Sequence, residues 1–212
     1  MRKYLAFAFC LGLISTAGLY AQQETRRFAF GLGAGFTQPV GNTSRHLDTG
    51  WNIQGGAGYN FSPYLGAMLQ LDYNHMGVNS FTLNKLGFPG GDVQVFSATV
   101  DPIVHLNPHG RVDVYLIGGG GLYHWLQEFT QPGIATVTAF DPFFGGFFPV
   151  AVPTTQILQS YSVNKWGVNG GAGIALGSKW NGKFFAEARY NRVFLGNNRH
   201  SDYLPVSFGF RW

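Results

Sequence analysis

Charged residues are scarce in this chain, and cysteine is nearly absent. Asp, Glu, Lys and Arg make up 11% of the 212 residues, whereas average proteins carry about 25%. The single cysteine, Cys10, lies in an apolar N-terminal run. If that run is removed after export, no thiol remains for a disulfide framework or a cysteine-ligated metal site. This composition is neither that of a disordered chain nor that of an ordinary soluble helical domain.

Excess charge and long apolar runs are missing as well. The formal net charge is +4, and it falls to +2 once Arg2 and Lys3 leave with a leader, because 12 basic side chains then face 10 acidic ones. So small a bias does not indicate a nucleic-acid partner. Beyond residue 21, no apolar run approaches the ~20 residues that a transmembrane helix needs.

The first 21 residues are typical of an export signal. Arg2 and Lys3 form a basic start, "YLAFAFCLGLISTAGLY" is apolar and ends in small residues, and polar "QQETRR" follows Ala21. We predict a signal peptide over residues 1–21, cleaved after "LYA", and one barrel domain over residues 22–212. A retained membrane anchor is the alternative.

Aromatic residues and glycines are plentiful, and they alternate. "FAFGLGAGF" puts Phe28, Phe30, Leu32, Ala34 and Phe36 on one face and mostly glycine on the other, which predicts a strand. Seven more segments follow: "WNIQGGAGYNF", "LGAMLQLDYN", "VFSATVDPIVHL", "RVDVYLIGGGGLYHW", "KWGVNGGAGIAL", "FFAEARYNRVF" and "YLPVSFGFRW". The phase of the fifth is ambiguous. No segment carries a convincing helical repeat.

The connections between these segments alternate in length. Short turns lie near residues 62–64, 107–110 and 177–182, and long irregular connections near 38–50, 75–92, 127–161 and 195–202. Eight strands joined in this way place both chain ends on the short-turn side. The fold class we predict is all-β: an eight-stranded antiparallel up-and-down barrel.

The polar face of the strands decides which way such a barrel faces. It consists of Gly, Asn, Gln, Ser and Thr with few charges, whereas a soluble surface is about a quarter to a third charged. The predicted barrel is therefore a transmembrane one, apolar outside and polar inside. Aromatic residues near strand ends suggest interfacial girdles: Trp51, Tyr59, Phe61, Tyr73, Trp166, Trp180, Tyr190, Phe194 and Trp212. A soluble exported barrel holding a ligand inside is the alternative architecture.

The closing segment "SFGFRW", an alternating strand ending in an aromatic residue, resembles the C-terminal assembly signal of bacterial outer-membrane barrels. "GLGAGF", "GAGYNFSPYLGAMLQLDY" and "VNGGAGI" are similar to strands of the small barrels of the OmpA and opacity-protein type. This resemblance implies an outer-membrane location, with periplasmic termini and extracellular loops. It also implies that lipid is a partner and that the barrel-assembly machinery reads Phe208, Phe210 and Trp212.

Glu187 and Arg189 stand two residues apart on the same face of an otherwise apolar strand. In a lumen they could pair with each other or with Asp72, Asp101, Lys165 or Arg211 of other strands, since an unpaired buried charge is costly. These six residues form the predicted lumen charge network. It either plugs the barrel or provides a gated polar path for ions, although eight strands usually leave no open channel.

The third long connection is unusually apolar for a loop. Phe140, Phe143, Phe144, Phe147 and Phe148 surround two glycines, and exposed apolar area of this size usually marks an interaction site. These residues are candidates for contact with a surface ligand or host partner. The alternative is a loop, or a hairpin extending the fifth and sixth strands, that packs on itself or on the barrel rim.

No catalytic or metal-binding pattern emerges. The six histidines show no metal-ligand spacing, and we expect no metal and no cofactor. Ser97, Asp101 and His105 share a face, but steps of four residues at ~3.3 Å each are too long for a nucleophile–base hydrogen bond. The predicted role is non-enzymatic, structural or in surface contact. A small pore or narrow transporter and, less favoured, a membrane-embedded lipid enzyme are the alternatives.

Overall fold

Eight antiparallel strands close into a ring in the computed structural model, which describes residues 27–178, 182–196 and 199–212. The strands are β1 Phe28–Val40, β2 Gly50–Asn60, β3 Leu65–Gly77, β4 Gly90–His105, β5 Val112–Asp141, β6 Gly146–Ser178, β7 Gly182–Gly196 and β8 Arg199–Arg211. Each strand pairs with its neighbours in sequence, and β8 pairs with β1 to close the barrel. The predicted eight-stranded antiparallel barrel is confirmed. The leader over residues 1–21 and the girdle candidate Trp180 lie outside the described residues.

The first two short turns form where Ser, Pro and Asn occur between strands. In the β2–β3 turn, Ser62 Oγ accepts hydrogen bonds from the backbone N–H groups of Tyr64 and Leu65, at 3.3 and 3.1 Å. A hydroxyl that bonds the backbone two or three residues on stabilises a tight reversal. The three short connections thus lie together at one end of the barrel, here called the short-turn end.

At the opposite, long-loop end, the first two connections carry short helical pieces. A single 3-10 turn spans Thr43–Arg45, and helix α1 spans Ser80–Leu86. Asn79 caps α1 by accepting a hydrogen bond from the Thr82 N–H, and Gly87 ends it in the left-handed region at φ 76°. Seven residues are too few to display a helical repeat, which is why the pattern of the sequence did not reveal α1.

Two predictions about the long connections are wrong. The fourth is short, because β7 reaches Gly196 and β8 already begins at Arg199. The third is no irregular loop, because β5 and β6 stay paired up to Asp141↔Gly146 and form a long hairpin. Its Thr, Val, Ile and Phe content favours strands. The prolines and the absence of a clean alternation hid that propensity in the sequence.

The two faces of the barrel wall differ as the alternation requires. On β4, Phe96 and Val100 are exposed outward, while Ser97, Thr99 and Asp101 are buried in the lumen. The structure also settles the phase of β5, whose Tyr115 and Tyr123 point inward and whose Leu116 and Leu122 point outward. An uncharged apolar outer wall of this kind is stable only in apolar surroundings.

Aromatic side chains cluster at both ends of the outer wall. Near the short-turn end, Phe28, Tyr59 and Phe61 are in ring contact, and Phe184, Phe210 and Trp212 form a second group. Near the long-loop end, the ring of Trp51 contacts those of Tyr73 and His75. Two aromatic belts are the usual border of a lipid-facing band. Among the described residues, no helix is both long and apolar enough to cross a membrane.

Candidate functional site

Arg189 of β7 ties the middle of the lumen together. Its guanidinium donates hydrogen bonds to Glu187 on the same strand, to Asp101 on β4 at 2.7 Å and to Gln70 on β3. All four side chains are buried. A planar fork that bonds two carboxylates and an amide across the barrel is a charge-assisted cross-link.

Neighbouring polar groups complete this cross-link. Asp101 also accepts hydrogen bonds from Thr99 Oγ1 at 2.8 Å and Asn169 Nδ2 at 2.9 Å. Glu187 accepts one from Tyr115 Oη at 2.8 Å. Because buried carboxylates are costly unless paired and hydrogen-bonded, these contacts stabilise both charges in the lumen.

Inward-facing glycines on β6 make room for the long side chains. Gly171 is opposite Arg189 and Gly173 is opposite Glu187 in the strand register. A Cβ added at Gly171 would lie 2.9 Å from the Arg189 Cγ, and one at Gly173 would collide with the Tyr115 ring. In a narrow eight-stranded lumen, small residues must therefore oppose large ones.

The six predicted network residues do not all join the cross-link. Arg189, Glu187 and Asp101 form its centre, and Arg211 lies 3.6 Å from Glu187 with its guanidinium stacked over the ring of Tyr115. Asp72 connects through hydrogen bonds from Gln70 at 3.0 Å and Ser97 at 3.3 Å, and within the described part of the chain it makes no ion pair.

Lys165 is the exception. It shares the inward parity of Asn169 but lies farther toward the long-loop end, and no ion pair involving it is seen in residues 27–178, 182–196 and 199–212. The uncharged members Gln70, Tyr115 and Asn169 were not predicted from the sequence. The alternation of the strands indicates that these side chains point into the lumen. Nothing in the sequence shows which of several inward-pointing amides contacts Arg189.

Apolar side chains close the lumen on both sides of the cross-link. Near the short-turn end the cluster comprises Met68, Ile103, Tyr115, Ile117, Ala175 and Phe185. Near the long-loop end it includes Met76, Val93, Val95, Tyr123, Val193 and Tyr203. Beside the cross-link, two small cavities each have room for about one water molecule. The predicted polar interior therefore also contains apolar layers on both sides of the cross-link.

The lumen histidine and serine do not form a catalytic constellation. Ser97 donates a hydrogen bond to Asp72, and Asp101 forms an ion pair with Arg189. His105 lies close to the short-turn end, where its ring contacts Asp113 at 2.7 Å beside Lys183. Across the described part of the chain, no three His, Cys, Asp or Glu side chains gather as a metal-ligand set.

The C-terminal strand is bonded into the wall up to its last residue. The backbone of Trp212 exchanges two 2.9 Å hydrogen bonds with Phe30 of β1, and the ring of Trp212 stacks on those of Phe30 and Phe210. Phe208 is exposed on the outer wall. That an assembly machinery reads these residues stays a prediction.

The five predicted contact phenylalanines all belong to the free part of the β5–β6 hairpin. β4 accompanies β5 only as far as Gly90↔Thr130, whereas β5 and β6 continue for eleven more pairs, from Gln131↔Gln156 to Asp141↔Gly146. We call this part, residues 131–156, the ribbon. A β-bulge at Phe129/Thr130 marks its start. Its apolar side chains are exposed, so it does not fold back onto the barrel rim.

The turn of the ribbon is held by hydrogen bonds to the side chain and the carbonyl of Asp141. Asp141 Oδ1 accepts hydrogen bonds from the N–H groups of Phe143 at 2.8 Å and Phe144 at 3.4 Å, and the Asp141 carbonyl accepts one from Gly145 at 2.9 Å. Gly145 has a φ of 63°, which suits glycine. This local bonding leaves the phenylalanine rings pointing outward.

Comparisons with known proteins agree with this architecture. A family model described as outer membrane protein beta-barrel domain matches residues 6–211. Neisserial surface protein A is 16% identical, with a TM-score of 0.56 over 89% of this chain and 98% of that one. A major outer membrane protein from Thermus thermophilus is 14% identical, with a TM-score of 0.52 over 87% and 99%. At such identities the likeness is one of fold. The comparison with curated proteins gave no match.

Proposed function

Because this chain belongs to the outer membrane protein beta-barrel domain family, and is therefore a barrel of the bacterial outer membrane, we propose that it is a closed, non-enzymatic anchor that makes surface contacts. In this proposal the leader over residues 1–21 exports the chain, the short-turn end faces the periplasm and the long-loop end faces outward. The ribbon, residues 131–156, is the contact element.

The ribbon carries the proposal. β5 and β6 are 30 and 33 residues long, whereas a tilted strand crosses a bilayer in ~9–11 residues. An isolated two-stranded hairpin is marginally stable in water, and this one exposes aromatic and aliphatic side chains along its length. Exposed apolar surface of this kind is typical of an interaction site.

The lumen supports an anchor rather than a pore. A conducting path would need unpaired polar groups along its whole length, but Arg189 is bonded to Asp101, Glu187 and Gln70. The apolar clusters on either side of this layer add further barriers to ions. A narrow transporter is therefore the weaker alternative.

The arrangement of Ser97, Asp101 and His105 argues for a non-enzymatic role, since each is bonded to a different partner. A lipid-modifying enzyme would need a nucleophile within hydrogen-bond reach of a base.

The test is a shortened ribbon. Pro132 and Thr155 are opposed in the register, so residues 133–154 can be replaced by Asn-Gly, which closes a two-residue hairpin. Cells producing either form are compared for adhesion to a eukaryotic cell monolayer and to one another. Equal heat-dependent gel shifts verify that both barrels fold. We expect adhesion to fall with the shortened ribbon. Equal adhesion of the two forms would contradict the proposal.

A further inference from the structure

We propose that the tip of the ribbon inserts into the interface of an apposed lipid bilayer whose headgroups are zwitterionic. The tip is defined as residues 140–148. This inference deepens the proposed function and rests on it, because it names the partner that the ribbon contacts.

Apolar side chains surround the tip on all sides. Phe140 and Phe147 are opposite each other in the register and share one face of the ribbon. Phe148 belongs to the other face, and Phe143 is 86% exposed in the turn between them. A protein partner usually covers one face of a sheet, whereas an element that is apolar all round suits a medium that encloses it, because apolar burial is non-directional. Lipid is such a medium.

The backbone of the turn needs no partner. The N–H groups of Phe143, Phe144 and Gly145 are all bonded to Asp141, and Pro142 has no N–H. Entry into an apolar phase is costly mainly when backbone groups lose their bonds to water. The turn avoids that cost because these three N–H donors are already satisfied.

The charge of the ribbon selects the kind of bilayer. Between Phe129 and Leu158 the only charged side chain is Asp141, and its carboxylate already accepts bonds within the turn. Attraction to anionic lipid depends on Lys and Arg, and this segment has none. Insertion should therefore be driven by apolar burial and be insensitive to salt.

The geometry favours an apposed bilayer over the membrane that holds the barrel. The ribbon prolongs β5 and β6 by eleven residues beyond Thr130, which corresponds to about 35 Å of strand. Both edges of the ribbon lack neighbouring strands over those residues, and free edges are not tolerated deep in hydrocarbon. The tip alone can enter, and only as far as the headgroup boundary.

The experiment uses the full barrel reconstituted in nanodiscs and mixed with phosphatidylcholine vesicles, followed by flotation. We expect the wild type to float with the vesicles, at low and high salt alike. Phe143→Ser with Phe144→Ser should reduce the bound fraction about tenfold or more, because two exposed rings are lost. Phe81→Ser is the control, since Phe81 in the neighbouring loop is 73% exposed, as is Phe144.

Three results would overturn the inference: no flotation of the wild type, equal flotation of the double variant, or flotation only when phosphatidylglycerol is added. If flotation fails while the shortened ribbon still lowers cell adhesion, the contact is with protein and the proposed function survives. If the shortened ribbon leaves adhesion unchanged, the proposed function itself fails. A heat-dependent gel shift of each variant excludes misfolding as the cause.

Discussion

Replacing Arg189 with methionine should destabilise the barrel strongly. The Arg189 side chain is 4% exposed, and the Asp101 and Glu187 side chains that it bonds are shielded from water at least as well. Methionine keeps much of the length and apolar stem of arginine but removes the charge. The variant therefore leaves buried Asp101 without its cation and leaves Glu187 with Arg211 alone, at 3.6 Å. Uncompensated buried charge is costly in a dry lumen.

The size of the effect follows from the burial of the pair. Removing one partner of a buried ion pair costs roughly 3–5 kcal/mol, because the remaining charge is uncompensated. Arg192 provides the matched comparison on the same strand, since it bonds Asp202 at 2.9 Å but is 41% exposed. Water reaches the Arg192 side of this pair although Asp202 is only 8% exposed, so the pair is screened more than that of Arg189 and breaking it should cost less. Arg189→Met should thus lower the free energy of unfolding far more than Arg192→Met.

The assay is equilibrium unfolding by urea of the barrel refolded in lipid vesicles, with tryptophan fluorescence and the heat-dependent gel shift as two readouts. Adding Asp101→Asn and Glu187→Gln to Arg189→Met should recover part of the loss, because neutral partners no longer leave buried charge. A cost for Arg189→Met no larger than that of Arg192→Met would refute the reasoning, as would a triple variant less stable than the single one.

Three further perturbations test the wall and the lumen. Gly173→Ala should destabilise the barrel by about 1–3 kcal/mol, since the new methyl group meets the Tyr115 ring; an unchanged urea midpoint would show that the ring moves freely. Deleting Trp212, which removes two hydrogen bonds to Phe30 and the stacked ring, should lower the heat-shifted fraction in membranes far more than Phe143→Ala does; normal insertion would count against an assembly role. In planar bilayers the wild type should show no steady channel current, because apolar clusters close the lumen at both ends; a stable open state would revive the pore alternative.

The alternation of apolar and polar residues was sufficient to predict the barrel, but it did not predict which side chains meet inside it. Glu187 and Arg189 were recognisable as lumen residues because these two charged side chains lie on the same face of an otherwise apolar strand. Gln70 was not recognisable as their partner, since amides of similar appearance occur at many inward positions. The end of β7 was missed. The pairing of the ribbon was foreseen only as an alternative, the hairpin extending the fifth and sixth strands, because composition shows that a segment is apolar but not which strand it pairs with.

The sequence by itself determined the fold class, the inward and outward sides of most strands and the unusual phenylalanine-rich segment, because these depend on local periodicity and composition. Only the tertiary structure decided which charges meet, since Arg189 reaches Asp101 across the barrel although the two are 88 residues apart in the chain. It alone revealed the apolar closures of the lumen and the ribbon that β5 and β6 form beyond the wall. Register and closure are properties of paired strands, and no single strand contains that information.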